Sequence, residues 1–200
     1  MLHAILAGLA LGGGLIVAIG AQNAFVIRQG ALNQHIFWVC LFCALSDAIL
    51  IWGGPYGLGV ILKSVPLLIP IMTYGGAAFL FWYGIKATRR VLAPQSLAEE
   101  GKTTTNLFVA LASCAAFTWL NPHVYLDTVI LVGTIANARP QGEQAAFAFG
   151  ASLASFLWFF AIGYGAKALR GPLSKPNVWR AIDVGIATIM FWLALKLLIS

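Results

Sequence analysis

The sequence predicts an all-α polytopic membrane protein: a helical bundle of six spans, or five if the long fourth apolar segment folds as a short span with a re-entrant element. Three observations carry this. First, 60% of the 200 residues are hydrophobic and only 9% are charged, with a mean hydropathy of +0.89, whereas soluble domains carry roughly 25% charged residues. Second, the apolar residues fall into runs near 2–27, 35–58, 66–87, 106–136, 144–166 and 178–199, each long enough to supply the roughly 20 residues that a helix needs to cross a bilayer. Third, the chain repeats itself. Residues 75–86 match 185–196 at an offset of 110, sharing Gly, Ala, Phe-Trp, Ile/Leu and Lys, and Tyr56-Gly57 matches Tyr164-Gly165 at an offset of 108. Three spans per half is an odd number, so the halves are expected as inverted repeats with broken helices, the plan of secondary transporters. The halves are residues 1–90 and 106–200, joined by a cytoplasmic linker over 91–105.

In span one, Gly8 and Gly12 lie four residues apart on one helical face and predict close helix packing. The span begins at Met1 without a basic leader, so it reads as a span and not as a cleaved signal peptide. It closes on Ala18-Ile19-Gly20-Ala21-Gln22-Asn23-Ala24-Phe25-Val26, where two successive carboxamides must face protein, water or a substrate, because unpaired amides are costly in lipid. Span two places Asp47 near its middle, more than ten residues from any other charge; on insertion scales a carboxylate there costs about 3 kcal/mol unless it meets a cavity or a partner. Span three ends in Phe81-Trp82-Tyr83-Gly84-Ile85-Lys86, an aromatic and basic interface belt.

Span four is broken at Asn121-Pro122 and continues through His123-Val124-Tyr125-Leu126-Asp127-Thr128. If the helix resumes after the proline, Asp127 shares a face with His123. Span five ends at Lys167 and Arg170, and span six follows Pro176 and Arg180, with Asp183 near its start expected at the interface. Cys40, Cys43 and Cys114 are odd in number, lie in apolar segments and are expected as small buried side chains.

The net charge of +6 belongs to short loops between spans and sets orientation, not nucleic-acid binding. Arg28, Lys86, Arg89, Arg90, Lys102, Lys167, Arg170, Lys175 and Arg180 fall on one side, and Lys63, Arg139 and Lys196 on the other. The first side is therefore the cytoplasm, with both termini outside. At the depth of Asp47 and Asp127 no basic residue is expected, so the two acids would be protonated, bind a metal or await a cationic ligand. A ligand's ammonium or guanidinium would supply the missing countercharge.

The segment 18–26, Ser46-Asp47 and the segment 121–128 together closely resemble the LysE/ArgO family of bacterial inner-membrane amino-acid exporters, and the resemblance covers essentially the whole chain. It implies a multi-pass protein that exports basic amino acids, arginine and lysine above all, by proton exchange or the membrane potential. No cofactor is implied, and a homo-oligomer is left open. Carried over by position, Gln22, Asn23, Asp47, Asn121, Pro122 and Asp127 become transport-site candidates. His123 joins them as a proton relay or a packing histidine.

Rival readings remain at this stage. A neutral amino acid such as threonine or homoserine is the nearest alternative substrate, and a soft metal cation is disfavoured by the paucity of His and Cys. Cys40-x-x-Cys43 admits a thiol-disulfide electron carrier, although no charged neighbour activates either thiol. An intramembrane hydrolase using the two aspartates or Ser46 lacks any nucleophile-base motif.

Overall fold

A computed structural model describes residues 1–17, 20–58, 64–65, 67–92, 106–173 and 176–199, and every regular element among them is helical. Helices α1 (Leu2–Ile16) and α2 (Ala21–Leu32) form the first segment, followed by α3 (Ile36–Gly53), whose end widens into a π turn over Gly54–Leu58. Then come α4 (Leu68–Leu92), α5 (Leu107–Trp119) and α6 (Pro122–Asn137), the last of these π-helical over Tyr125–Val132. Finally α7 (Glu143–Ala168) and, after a turn at Arg170–Leu173, α8 (Pro176–Ile199) complete the chain.

Four of these helices, α3, α4, α7 and α8, are long and apolar enough to cross a membrane alone. The pairs α1/α2, bent by 84°, and α5/α6, bent by 61°, each qualify as one broken span, which brings the count to between four and six. Most of the 91–105 linker, together with Lys63, Lys102 and Lys175, lies outside the described residues.

Lipid tails are as apolar as leucine, so helices in a bilayer associate by close packing more than by hydrophobic exclusion. The expected glycine face does this. A Cβ at Gly8 would lie 2.0 Å from the Phe147 carbonyl oxygen, one at Gly12 2.9 Å from Ala151 Cα, and one at Gly150 2.0 Å from the Ile5 carbonyl oxygen. Backbone thus meets backbone where α1 crosses α7. Helices α4 and α8 run antiparallel, with Gly76 near Leu197, Gly84 against Phe191 and Arg90 bonded to Asp183.

The main core gathers Phe25, Val39, Phe117, Phe159 and Met190 with the three cysteines. All three thiols are buried and free, and the Cys40 Sγ–H donates to the Phe159 carbonyl at 3.2 Å. Burial removes the accessibility that a thiol-disulfide carrier requires. Large apolar side chains such as Leu45, Ile49, Phe81 and Leu157 point outward, as lipid contact demands.

Asp183 departs from its expected place at the interface. It is 2% exposed because arginines from two other helices converge on it. Arg90 Nη2 and Nε each lie 2.9 Å from its Oδ1, and Arg28 Nε lies 3.6 Å away. Arg28 also stacks over Trp179 and Arg90 over Tyr83. The carboxylate therefore ties α2, α4 and α8 together at one end of the bundle.

Candidate functional site

The two helix breaks are built from the side chains that interrupt the apolar runs. At the first, Gly20 adopts an extended backbone as the N-cap of α2, and the Asn23 Nδ2–H donates to the carbonyl of Ile16, the last residue of α1, at 2.8 Å. That carbonyl is one of the acceptors a helix C-terminus leaves without an intrahelical donor. The Trp158 Nε1–H of α7 donates to Asn23 Oδ1 at 3.4 Å, so both ends of this amide are held by protein. At the second break, Asn121 is the N-cap of α6: its Oδ1 accepts from the His123 backbone N–H at 3.1 Å. Pro122 occupies the first turn, where its missing N–H costs nothing. Both asparagines thus hold the chain open at points where a continuous helix would otherwise run.

The breaks face a common cavity of about 460 Å³, within the roughly 300–1,000 Å³ typical of small-molecule sites. Gln22, Asn23, Asp47, Asn121, His123 and Asp127 all line it, although they come from α2, α3 and the capped start of α6, more than a hundred residues apart in the chain. Pro122 shapes the break beside it. The resumed helix does bring His123 and Asp127 to the same cavity, but through a π-helical stretch in place of a regular α-turn. Such widened turns recur at functional sites because they re-aim side chains.

Asp47 is 6% exposed, and its Oδ2 accepts from the Ser155 Oγ–H of α7 at 3.0 Å. Asp127 and Lys196, both exposed, also line the cavity. Gln22 Nε2 and His123 Nε2 are buried without a hydrogen-bond partner, and buried polar atoms left in this way call for a ligand or water to satisfy them.

Phe117 forms part of the cavity wall, and its ring lies 5.5 Å from Phe25, 4.9 Å from Phe79 and 5.2 Å from Tyr83. On α4 the cavity is lined at Gly76 and Leu80, with Tyr83 and then Arg90 following along the helix. The aromatic layer therefore stands between the cavity and the Arg28–Asp183–Arg90 cluster. Among the described residues no group of three or more His, Cys, Asp or Glu side chains is arranged to hold a metal ion.

Sequence reasoning missed Ser155, Thr128, Trp192 and Lys196, all of which line the cavity. No basic residue is expected at the depth of the two acids; Lys196 does line the same cavity, but it is exposed where Asp47 is buried. It sits at the end of an aromatic-basic segment that reads equally well as an interface anchor, and only the packing of α8 turns it to the cavity. Ser155 carried a faint signal as a hydroxyl in the middle of an apolar span.

The model of the family described as LysE type translocator matches residues 14–200. The arginine exporter protein ArgO of Escherichia coli strain K12 is 38% identical over 95% of this chain and 90% of its own length. That of Photorhabdus laumondii is 40% identical over 98% of this chain and 96% of its own length, and that of Serratia proteamaculans 38% over 98% and 97%. No solved structure matches. The family match over nearly the whole chain, with relatives this similar at nearly full length, shows that the chain belongs to the LysE type translocator family.

Proposed function

We propose that this protein exports L-arginine, and L-lysine beside it, across the bacterial inner membrane, with Asp47 and Asp127 as the countercharges of the cationic substrate. The observation that carries the reading is the shared cavity, in which two carboxylates from opposite halves of the chain meet the amides of two broken helices. A neutral amino acid would leave that excess of negative charge uncompensated. The names of the similar arginine exporters support the substrate class.

Roles follow from the geometry. The guanidinium pairs with the deep Asp47, held in place by Ser155, and Gln22 Nε2 and His123 Nε2 gain partners when substrate enters. Asn23 and Asn121 keep the breaks open. The antiparallel packing of α4 on α8, which carry the repeated segment, supports two inverted three-helix repeats, residues 1–90 and 106–200. By charge distribution the Asp183 end is cytoplasmic, so the aromatic layer closes the inner side and the cavity faces outward.

Export of a net +1 substrate from an inside-negative cell is opposed by about 2.3 kcal/mol per 100 mV. Exchange for one proton cancels that cost, and a carboxylate that binds either a proton or the substrate cation is a direct means of coupling the two.

The test is efflux of radiolabelled arginine and lysine from preloaded proteoliposomes, comparing wild type with Asp47→Asn and Asp127→Asn at matched incorporation. We expect loss of efflux in both variants. Undiminished efflux in both would remove the aspartates from the mechanism, and wild-type transport of threonine but not arginine would overturn the substrate.

A further inference from the structure

We propose that Gly54 and Gly133 form a sliding joint between the helix that carries Asp47 and the helix that carries Asp127, and that motion at this joint sets the rate of transport. The inference rests on the reading of the cavity as a basic amino-acid site and assigns two positioning residues to it.

The two glycines meet backbone to backbone. A Cβ at Gly54 would lie 2.7 Å from the Val129 carbonyl oxygen and 3.0 Å from Gly133 Cα, and one at Gly133 would lie 2.9 Å from Gly54 Cα. Neither position accepts a side chain unless a backbone moves. Gly54 follows the last residue of α3, seven residues beyond Asp47, and Gly133 lies on α6, six residues beyond Asp127. Between each glycine and its aspartate stands another residue of the cavity wall, Ile51 on the first element and Val132 on the second. A shift at the contact is therefore passed to both walls.

Both elements are π-helical at or beside this contact, over Gly54–Leu58 and Tyr125–Val132. In the first, Pro55 has no N–H with which to continue the α-helical ladder, and Gly57 takes a φ of +98°, a conformation that favours glycine. In the second, two threonines supply extra donors. The Thr128 Oγ1–H donates to the Val124 carbonyl at 2.5 Å and the Thr134 Oγ1–H to the Ile130 carbonyl at 2.6 Å. A carbonyl with a side-chain donor keeps a partner when its backbone bond changes register, so a small shift of α6 strands neither acceptor. Wide turns are also where helices bend most readily.

A second glycine pair shows the same joint in regular helix. A Cβ at Gly30 of α2 would overlap the Gly163 carbonyl oxygen of α7. Gly163 follows Gly54 by 109 residues, within the offsets of 108 to 110 that relate the repeated segments, and each pair joins one half of the chain to the other. The pairs lie at opposite ends of α3, because a Cβ at Gly163 would also meet Ile36 and Cys40 near its start. Gly30 sits in regular α-helix two residues from Arg28 of the buried ion cluster. One end of the bundle is thus locked and the other built to slide, which is what alternate opening around a central site requires.

The test uses the full-length protein, measuring equilibrium binding of radiolabelled arginine in detergent and maximal efflux from proteoliposomes. Wild type is compared with Gly54→Ala, Gly133→Ala and Thr134→Val, and Gly13→Ala, with nothing within 4 Å of the added carbon, is the control. The alanines wedge the joint, whereas valine keeps the shape of Thr134 and removes its donor. Maximal efflux should fall about tenfold or more in the alanine variants and about threefold in Thr134→Val, with the Kd for arginine within about twofold of wild type. A merely structural contact would weaken binding and folded yield along with the rate, or change none of them. Loss of binding in step with efflux, or wild-type efflux in all three variants, overturns the proposal while leaving the aspartate reading intact. If the alanine variants yield no folded protein, Thr134→Val alone decides, and a wild-type rate there overturns the proposal. Failure of wild type to transport any basic amino acid overturns the reading of the cavity and this inference with it.

Discussion

Removing the Asp183 carboxylate while keeping its shape, as Asp183→Asn, should be among the most destabilising polar substitutions in this chain. The acid is 3% exposed at its side chain and is contacted by Arg28, 7% exposed, and Arg90, 21% exposed. Breaking a buried ion pair by deleting one partner costs about 3–5 kcal/mol, because the remaining charge is left buried without its counterion. Arg90 is exposed enough to recover hydration by moving its head group, so the lower end, about 3 kcal/mol, is appropriate here. For a chain of this length that corresponds to a fall in midpoint of about 6–12 °C. Removing a cation should cost much less, because the carboxylate keeps its other arginine: Arg90 in Arg28→Gln and Arg28 in Arg90→Gln. The assay is thermal unfolding of detergent-purified protein, followed by the loss of the monodisperse peak in size-exclusion chromatography. Asp183→Asn melting within about 2 °C of wild type, or Arg28→Gln falling as far as Asp183→Asn, would refute the claim that charge imbalance at this buried junction controls the bundle's stability.

Other outcomes follow from the packing and the site. At the α1–α7 crossing, Gly8→Val or Gly150→Val should abolish folded yield, because the first added carbon already lies 2.0 Å from a carbonyl oxygen, whereas Gly13→Ala, with nothing within 4 Å of the added carbon, should express as wild type. Ser155→Ala removes the hydroxyl that donates to Asp47 and should lower the apparent affinity for arginine by about two- to tenfold, with Ser155→Thr retaining most of it, as measured in the same proteoliposomes. A variant with Cys40, Cys43 and Cys114 all replaced by alanine or serine should transport at the wild-type rate under oxidising and reducing conditions alike. Redox-dependent loss of transport would instead give the thiols a functional role.

Much of this protein was legible along the chain because the governing rules are local. The length of an apolar run fixes whether a helix can cross a bilayer, and an amide or proline inside such a run marks a break, so the six segments and the interruptions at Gln22-Asn23 and Asn121-Pro122 could be read without coordinates. The isolation of Asp47 and Asp127 in apolar sequence marked them as cavity groups for the same reason. Tertiary structure decided which way each helix turns. It made Asn23 and Asn121 into braces of the breaks, brought Ser155 to Asp47 and Lys196 to the cavity, and buried Asp183 between Arg28 and Arg90. The physical reason lies in the solvent. In water the polar side of a helix reveals its outward face, but a membrane helix is apolar toward both lipid and core, so its periodicity carries little information about rotation. The facing of a serine, a lysine or a late aspartate is then settled only when glycine crossings and buried ion pairs lock neighbouring helices together.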